Sequence, residues 1–207
     1  MNRPVFRRQG ILFVISAPSG TGKSTLCANL RATPDFIYSV SCTTRAPRSG
    51  EESGVDYHFM SREHFQKLID TGEMLEFALV HGNYYGTPKA TVKEALEQGT
   101  DVLLDIDVQG AATIRKTEDA VVRDSLVDVF IMPPTLEELE RRLRKRGTET
   151  EEQLRQRLTT GHEESKLWRL YKYTILSGSM EEDLTKFRAI MRAERYLSRR
   201  LEMNGDS

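Results

Sequence analysis

One junction constrains this chain more than any other. A continuous apolar run, Ile11–Ala17, ends in the glycine turn Pro18-Ser19-Gly20-Thr21-Gly22-Lys23-Ser24 and passes directly into a helical pattern. The run lacks a polar face, so it predicts a buried strand of a parallel sheet. The turn follows the spacing G-x-x-x-x-G-K-[ST] except that Ala17 stands where the first glycine belongs. Gly20 and Gly22 let main-chain N–H groups close around phosphate oxygens, and the helix N-terminus adds positive potential. Lys23 is placed to reach β- and γ-phosphates, and Ser24 to ligate Mg²⁺. The alternative is a glycine-rich turn that merely joins strand to helix. Lys23 and Ser24 in register favour the phosphate loop.

The later rhythm supports the same architecture. Val102–Ile106, Val127–Met132 and Tyr173–Leu176 predict three more buried strands, the second stopped by Pro133-Pro134. Gly22–Arg31 predicts a helix with Leu26 and Leu30 on one face. Strands alternating with helices give an α/β fold, a three-layer P-loop core with a parallel sheet. That core is expected over 10–38, 96–136 and 166–203. Residues 39–95 break the rhythm. Ser39–Arg45, Asp56–Met60 and Leu75–His81 read as more polar strands, with one helix over Ser61–Asp70. They predict an inserted α+β lobe. The stretch 137–165 is dense in charge and poor in large apolar residues, and capping boxes begin at Thr135 and Thr150. It predicts a solvated helical hairpin with the composition of a mobile lid. Lys116–Leu126 is expected to be a surface excursion, and Glu181–Glu202 one long helix.

Composition narrows the functions. Among 207 residues, 30 Lys+Arg stand against 31 Asp+Glu, a net charge of −1, which argues against a globally basic nucleic-acid binder. A hydrophobic fraction of 38% supports a proper core and excludes full-length disorder. No apolar run approaches the length of a membrane span. Arg3, Arg7 and Arg8 before Ile11–Ala17 faintly imitate a signal peptide, but cleavage there would destroy the phosphate loop. Cys27 and Cys42 are too few for a disulfide framework or an ordinary zinc site, and read as free thiols in a reducing, cytoplasmic compartment. His58, His64, His81 and His162 share no spacing with carboxylates and read as surface or lobe residues.

Four stretches, in order, carry a resemblance: Ser16-Ala17-Pro18-Ser19-Gly20-Thr21-Gly22-Lys23-Ser24; Val40-Ser41-Cys42-Thr43-Thr44-Arg45-Ala46-Pro47-Arg48-Ser49-Gly50-Glu51; Gly82-Asn83-Tyr84-Tyr85-Gly86-Thr87; and Asp105-Ile106-Asp107-Val108-Gln109-Gly110. Over about residues 10–200 the sequence resembles the guanylate kinase family, whose phosphate loop commonly begins Ala-Pro-Ser-Gly. The resemblance implies a nucleoside-monophosphate kinase that converts ATP and GMP, or dGMP, to ADP and the diphosphate, with Mg²⁺. It makes 39–95 a GMP-binding lobe and 137–165 an arginine-bearing lid. By position, Ala17, Pro18, Ser19, Gly20, Thr21, Gly22, Lys23 and Ser24 would bind ATP. Arg45, Arg48, Tyr57 and Tyr85 would hold the GMP phosphate, with Glu51 orienting an arginine. Ser41, Glu76, Thr87 and Asp107 would contact guanine. Lys23, Arg45, Arg142, Arg146 and Arg157 would be the catalytic cations. Ser24, and Asp105 through water, would hold the metal. The implied partners are nucleotides, with no nucleic acid and no membrane, and the chain would act as a monomer or homodimer. One departure stands out: the family commonly has Asn-Asp-Asp after its last strand, and this chain reads Ser177-Gly178-Ser179.

Residue chemistry agrees with these roles. Two guanidinium forks around Pro47 suit a dianionic phosphate, and tyrosine hydroxyls donate to it without added charge. Guanine presents N1–H and N2–H₂ side by side, and a carboxylate such as Glu76 or Asp107 accepts from both, whereas adenine has an acceptor at N1. Alternatives remain at single positions. Strand alternation allows Glu76 to face water. Arg45 and Arg48 also read as solvated turn residues, and Arg141, Arg142, Arg144, Lys145 and Arg146 as a solvated helix face or weak RNA patch. Arg188, Arg192, Arg195 and Arg199 form a basic stripe on the last helix, open to a dimer or RNA reading. A catalytically inert peptide-binding relative and a kinase with another acceptor are the competing functions. Lys23 and Ser24 favour the enzyme, and Ser41, Glu76 and Thr87 favour guanine.

Overall fold

A computed structural model of the chain describes residues 6–18, 21–33, 35–80, 82–145 and 150–203; Ser19, Gly20, His81 and Arg146 lie outside these described residues. The short strand β1 (Phe6–Arg8) precedes β2 (Leu12–Ser16), in which every residue is buried. Helix α1 (Lys23–Arg31) starts at Gly22, whose φ of 96° lies in the left-handed region that glycine enters without strain. β3 (Ile37–Tyr38), β4 (Cys42–Thr43), β5 (His58–Phe59), α2 (Arg62–Asp70), β6 (Met74–Val80) and β7 (Asn83–Pro88) come next. Then α3 (Lys89–Glu97), β8 (Val102–Asp105), α4 (Val108–Arg115), α5 (Ala120–Ser125) and β9 (Leu126–Met132) restore the alternation. α6 (Leu136–Lys145), α7 (Glu151–Ser165), β10 (Tyr173–Leu176), α8 (Met180–Arg195) and β11 (Leu201–Met203) follow.

The first sheet is parallel throughout, in the order β10-β9-β2-β8-β3. Successive residues of β2 enter opposite faces. Leu12 and Val14 pack with Val92 and Leu96 of α3 and with Ala111 and Ile114 of α4. Phe13 and Ile15 pack with Leu26 and Leu30 of α1 and with Phe187 and Met191 of α8. Burial on both faces requires an unbroken apolar run, and each large side chain contributes about 1.5–3 kcal/mol. Because β2 lies between β8 and β9, the loop that leaves its C-terminal end sits at the centre of the sheet edge, where open α/β sheets bind ligands.

The second sheet is mixed, in the order β5-β4-β7-β6. Helix α2, capped by Ser61, contributes Phe65, which is fully buried and stacks on Tyr84 at 5.2 Å between ring centroids. β7 has no counterpart among the expected strands. Asn83-Tyr84-Tyr85-Gly86 lacks apolar alternation, and pairing with β6 makes it a strand.

Three further expectations are corrected. Lys116–Leu126 is not a surface excursion: it contains α5, capped by Asp119, and buries Val122 completely. Val122 anchors it with Val121 packed beside it, too short an apolar pair to see in sequence. The last helix stops at Arg195, and β11 turns back to pair antiparallel with β1. Part of the basic stripe is structural, since Arg195 Nε donates to Asp101 Oδ2 at 2.7 Å. The α6–α7 hairpin is not uniformly solvated, because Leu139, Leu143 and Leu154 form a small core of its own. Its capping box at Thr150 is complete. At Thr135 only half forms: the Thr135 hydroxyl accepts from Glu138 N, while the Glu138 carboxylate turns to Arg141 and Arg142.

Candidate active site

The phosphate loop closes on itself before α1 begins. Thr21 is buried, and both its N–H and its hydroxyl donate to the Pro18 carbonyl. Lys23 does not point into open space. Its Nζ donates to the Ile106 carbonyl at 2.8 Å and lies 2.5 Å from Asp105 Oδ1. Burial alone would lower its pKa, but Asp105 more than offsets this and holds it above the ordinary lysine value. Arg142, carried on α6, reaches the same loop. Its Nη1 donates to the Thr21 carbonyl at 2.8 Å and to Ser177 Oγ at 3.1 Å, and its Nε to Glu138 at 2.7 Å.

A cavity of about 240 Å³ opens between the two sheets. Lys23 and Ser24 line it from α1, Asp105, Ile106 and Asp107 from the end of β8, Glu76, Tyr85 and Gly86 from the second sheet, and Ser41 and Tyr57 from just before β4 and β5. Glu76 is only 4% exposed. Its Oε1 accepts from the Thr87 hydroxyl at 2.8 Å. A Cβ at residue 110 would lie 2.5 Å from Glu76 Oε2, so Gly110 leaves the room this carboxylate needs. Burial raises the Glu76 pKa to about 7, with the Thr87 hydrogen bond opposing and Asp107 adding to the rise. Asp107 caps α4, its Oδ1 accepting from Gly110 N at 2.8 Å. At the rim, Glu51 accepts two bonds from Arg45 at 2.9 and 3.0 Å and a third from Arg48 N at 2.7 Å. The Arg45 guanidinium lies 5.6 Å from the Tyr57 ring, and Tyr57 meets Tyr85 edge-on at 5.8 Å.

With this geometry in place, the relatives are decisive. The sequence model of the guanylate kinase family matches residues 9–194. This chain belongs to the guanylate kinase family. A guanylate kinase of Maricaulis maris is 47% identical over 93% of this chain and 88% of its own length. One of Clostridium tetani is 44% identical over 90% and 88%. The crystal structure of guanylate kinase from Anaplasma phagocytophilum superposes with a TM-score of 0.75 at 34% identity, covering 95% of this chain and 92% of that one.

In this member of the guanylate kinase family the expected residues divide into groups. Lys23, Ser24, Ser41, Tyr57, Glu76, Tyr85, Asp105 and Asp107 share the cavity wall. Thr87 stands behind Glu76, fully buried. Arg45, Glu51 and the exposed Arg48 form the rim. Ala17, Pro18, Thr21 and Gly22 shape the loop beneath, with Ser19 and Gly20 outside the described residues. Arg142 meets the loop, whereas Arg157 sits half-buried on α7 and Arg146 is outside the described residues. Sequence reasoning missed Gly110, the Thr21 carbonyl and Ser177. Gly110 had a signal in the Gln109-Gly110 pair beside Asp107, and Ser177 in the departure Ser177-Gly178-Ser179, which gave no contact to Arg142. A second cavity of about 250 Å³ shares Ser24, Ser41, Tyr57 and Asp105 and adds Cys27, Arg31, Tyr38 and Asp56. Among the described residues, no helix is long and apolar enough to cross a membrane.

Proposed function

We propose that this chain transfers the γ-phosphoryl group of ATP to GMP, and to dGMP, giving ADP and the corresponding diphosphate. One observation carries the choice of acceptor: a buried carboxylate, Glu76, braced by Thr87 on the wall of a cavity that Lys23 also lines. Guanine N1–H and N2–H₂ are two adjacent donors, which suit Glu76 and Asp107, with Ser41 and Thr87 beside them. Those donors favour the ionised carboxylate, so GMP binding would pull the Glu76 pKa below its value of about 7. None of these base contacts needs the 2′-hydroxyl, which admits dGMP. Arg45, Arg48, Tyr57 and Tyr85 would hold the acceptor phosphate. Its oxygen is already anionic, so the attack on the γ-phosphorus needs positioning and charge neutralisation rather than a strong base. Lys23 would leave Asp105 for the donor phosphates, joined by Arg142 and the further lid cations Arg146 and Arg157.

The residues present fit Mg²⁺. Ser24 and Asp105 offer hard oxygen ligands on the same cavity, and Asp105 Oδ1 is buried with charge pairing to Lys23 but no well-aligned hydrogen bond. When bound, the metal would neutralise charge on the β- and γ-phosphates. We assign acceptor binding to the lobe 39–95 and lid closure to 137–165, because phosphoryl transfer in an open site competes with hydrolysis. A coupled assay of ADP formation with GMP, dGMP, AMP and UMP tests the reading. GMP and dGMP turn over, and AMP falls behind by about 10⁴-fold in kcat/KM. AMP used as well as GMP would remove the guanine assignment, and ADP formation with none of the four would remove the kinase.

A further inference from the structure

We infer that Ser177 and Asp183 are positioning residues that hold the Arg142 guanidinium on the phosphate loop. The inference rests on the proposed role of Arg142 in phosphoryl transfer. Arg142 belongs to α6, part of the charged hairpin, yet its Nη1 bonds to groups outside that hairpin: the Thr21 carbonyl and Ser177 Oγ. Ser177 follows β10 and is 5% exposed; Asp183 lies in the first turn of α8 and is 4% exposed. The Ser177 hydroxyl donates to Asp183 Oδ2 at 2.9 Å, and Gly178 N donates to Asp183 Oδ1 at 2.9 Å. A hydroxyl has one proton to give. Because that proton is committed to Asp183, a lone pair of Ser177 is turned toward Arg142. The carboxylate sits in the first turn of α8, with Lys186 Nζ 3.8 Å away. Helix α8 is fixed to the core through Phe187 and Met191. The docking point for Arg142 Nη1 is therefore set by the core, while Glu138 of the hairpin itself holds Nε. Ser177-Gly178-Ser179, the departure from the family's usual residues, is thus part of a relay running α8, Asp183, Ser177, Arg142, Thr21.

Steady-state kinetics test this on the full chain, with ATP and GMP each varied and thermal melts confirming that every variant is folded at the assay temperature. Ser177→Ala lowers kcat about tenfold, the worth of one charge-assisted bond, and leaves KM for GMP within about twofold. In an Arg142→Ala background, Ser177→Ala costs nothing further, because its effect runs through the arginine. Asp183→Asn, whose amide can turn the Ser177 proton toward Arg142, lowers kcat in the same way. A merely structural pair would lower the melting temperature and leave kcat of the folded enzyme unchanged. Wild-type kcat in Ser177→Ala beside a slow Arg142→Ala, or losses that add in the double variant, would overturn the inference alone. Wild-type kcat in Arg142→Ala would overturn the role of that arginine and the relay with it, leaving the choice of GMP as acceptor standing.

Discussion

The two walls of the cavity are built on different principles. On the second sheet, Glu76 and Thr87 are buried and bonded to each other, so the recognition element is finished before any ligand arrives. On the phosphate side the cations are occupied by the protein itself: Lys23 by Asp105 and the Ile106 carbonyl, Arg142 by Thr21, Ser177 and Glu138. Arg45, at the rim, is likewise held by Glu51. Base selection rewards rigidity, because an unpaired buried carboxylate rejects the wrong base. Charge transfer rewards exchangeable partners, because the same cations must serve phosphates in turn. Borrowed carboxylates keep them in place meanwhile.

Breaking the phosphate side gives the largest effect. Lys23→Ala lowers kcat by about 10³-fold or more with the fold retained, since no other described residue brings a cation to the Ile106 carbonyl and Asp105. Near-wild-type turnover in a folded variant, measured by coupled assay, would strip the loop of its assigned role.

Glu76→Gln breaks the other wall. An amide keeps one acceptor and sets a donor against a guanine donor, costing about 2–4 kcal/mol in kcat/KM for GMP with ATP affinity unchanged. The same change stabilises the protein. Burial raises the Glu76 pKa from 4.5 to about 7, so between those values the folded chain holds a proton that the unfolded chain has lost. Stability therefore falls as pH rises through this window, and the glutamine variant escapes a loss of about 3 kcal/mol above pH 7. Chemical denaturation at pH 5 and pH 8 reads the difference; equal gains at both would contradict it.

Arg45→Ala is smaller, about 2 kcal/mol or roughly thirtyfold in GMP affinity, with ATP affinity little changed. Equilibrium titration of both nucleotides separates the walls, and an equal loss for both would merge them. The smallest effect sharpens the comparison by pH alone. Protonating Glu76 puts a donor against guanine N1–H, so KM for GMP rises about fourfold from pH 8 to pH 6.5 in wild type and by less in Glu76→Gln. Parallel profiles would move the titration to another group.

Much of this could be read from residues in order. The phosphate loop announces itself because a buried strand, two glycines and Lys23-Ser24 are contiguous, and each is demanded by local chemistry. The α/β core follows from apolar runs long enough to be covered on both faces. Glu76 was ambiguous because strand alternation permits either face, and the decision lies in a β-bulge between Met74 and Glu76 and in the packing of α4 against β6. β7 and α5 were invisible because one is made by pairing and the other is anchored by a short valine pair.

Sequence alone therefore determined the parts whose cause is local: the strand–loop–helix junction, the capping box at Thr150, the apolar periodicity, and the four stretches that match the guanylate kinase family. Tertiary structure decided everything set by contacts far apart in the chain. Glu76 finds Gly110, Arg142 finds Thr21 and Ser177, and Lys23 finds Asp105 only when β8 is placed beside β2 and α6 folds over the loop. A charge's partner depends on distance in space, and separations of tens to more than a hundred residues carry no local energetic signature by which it could be read.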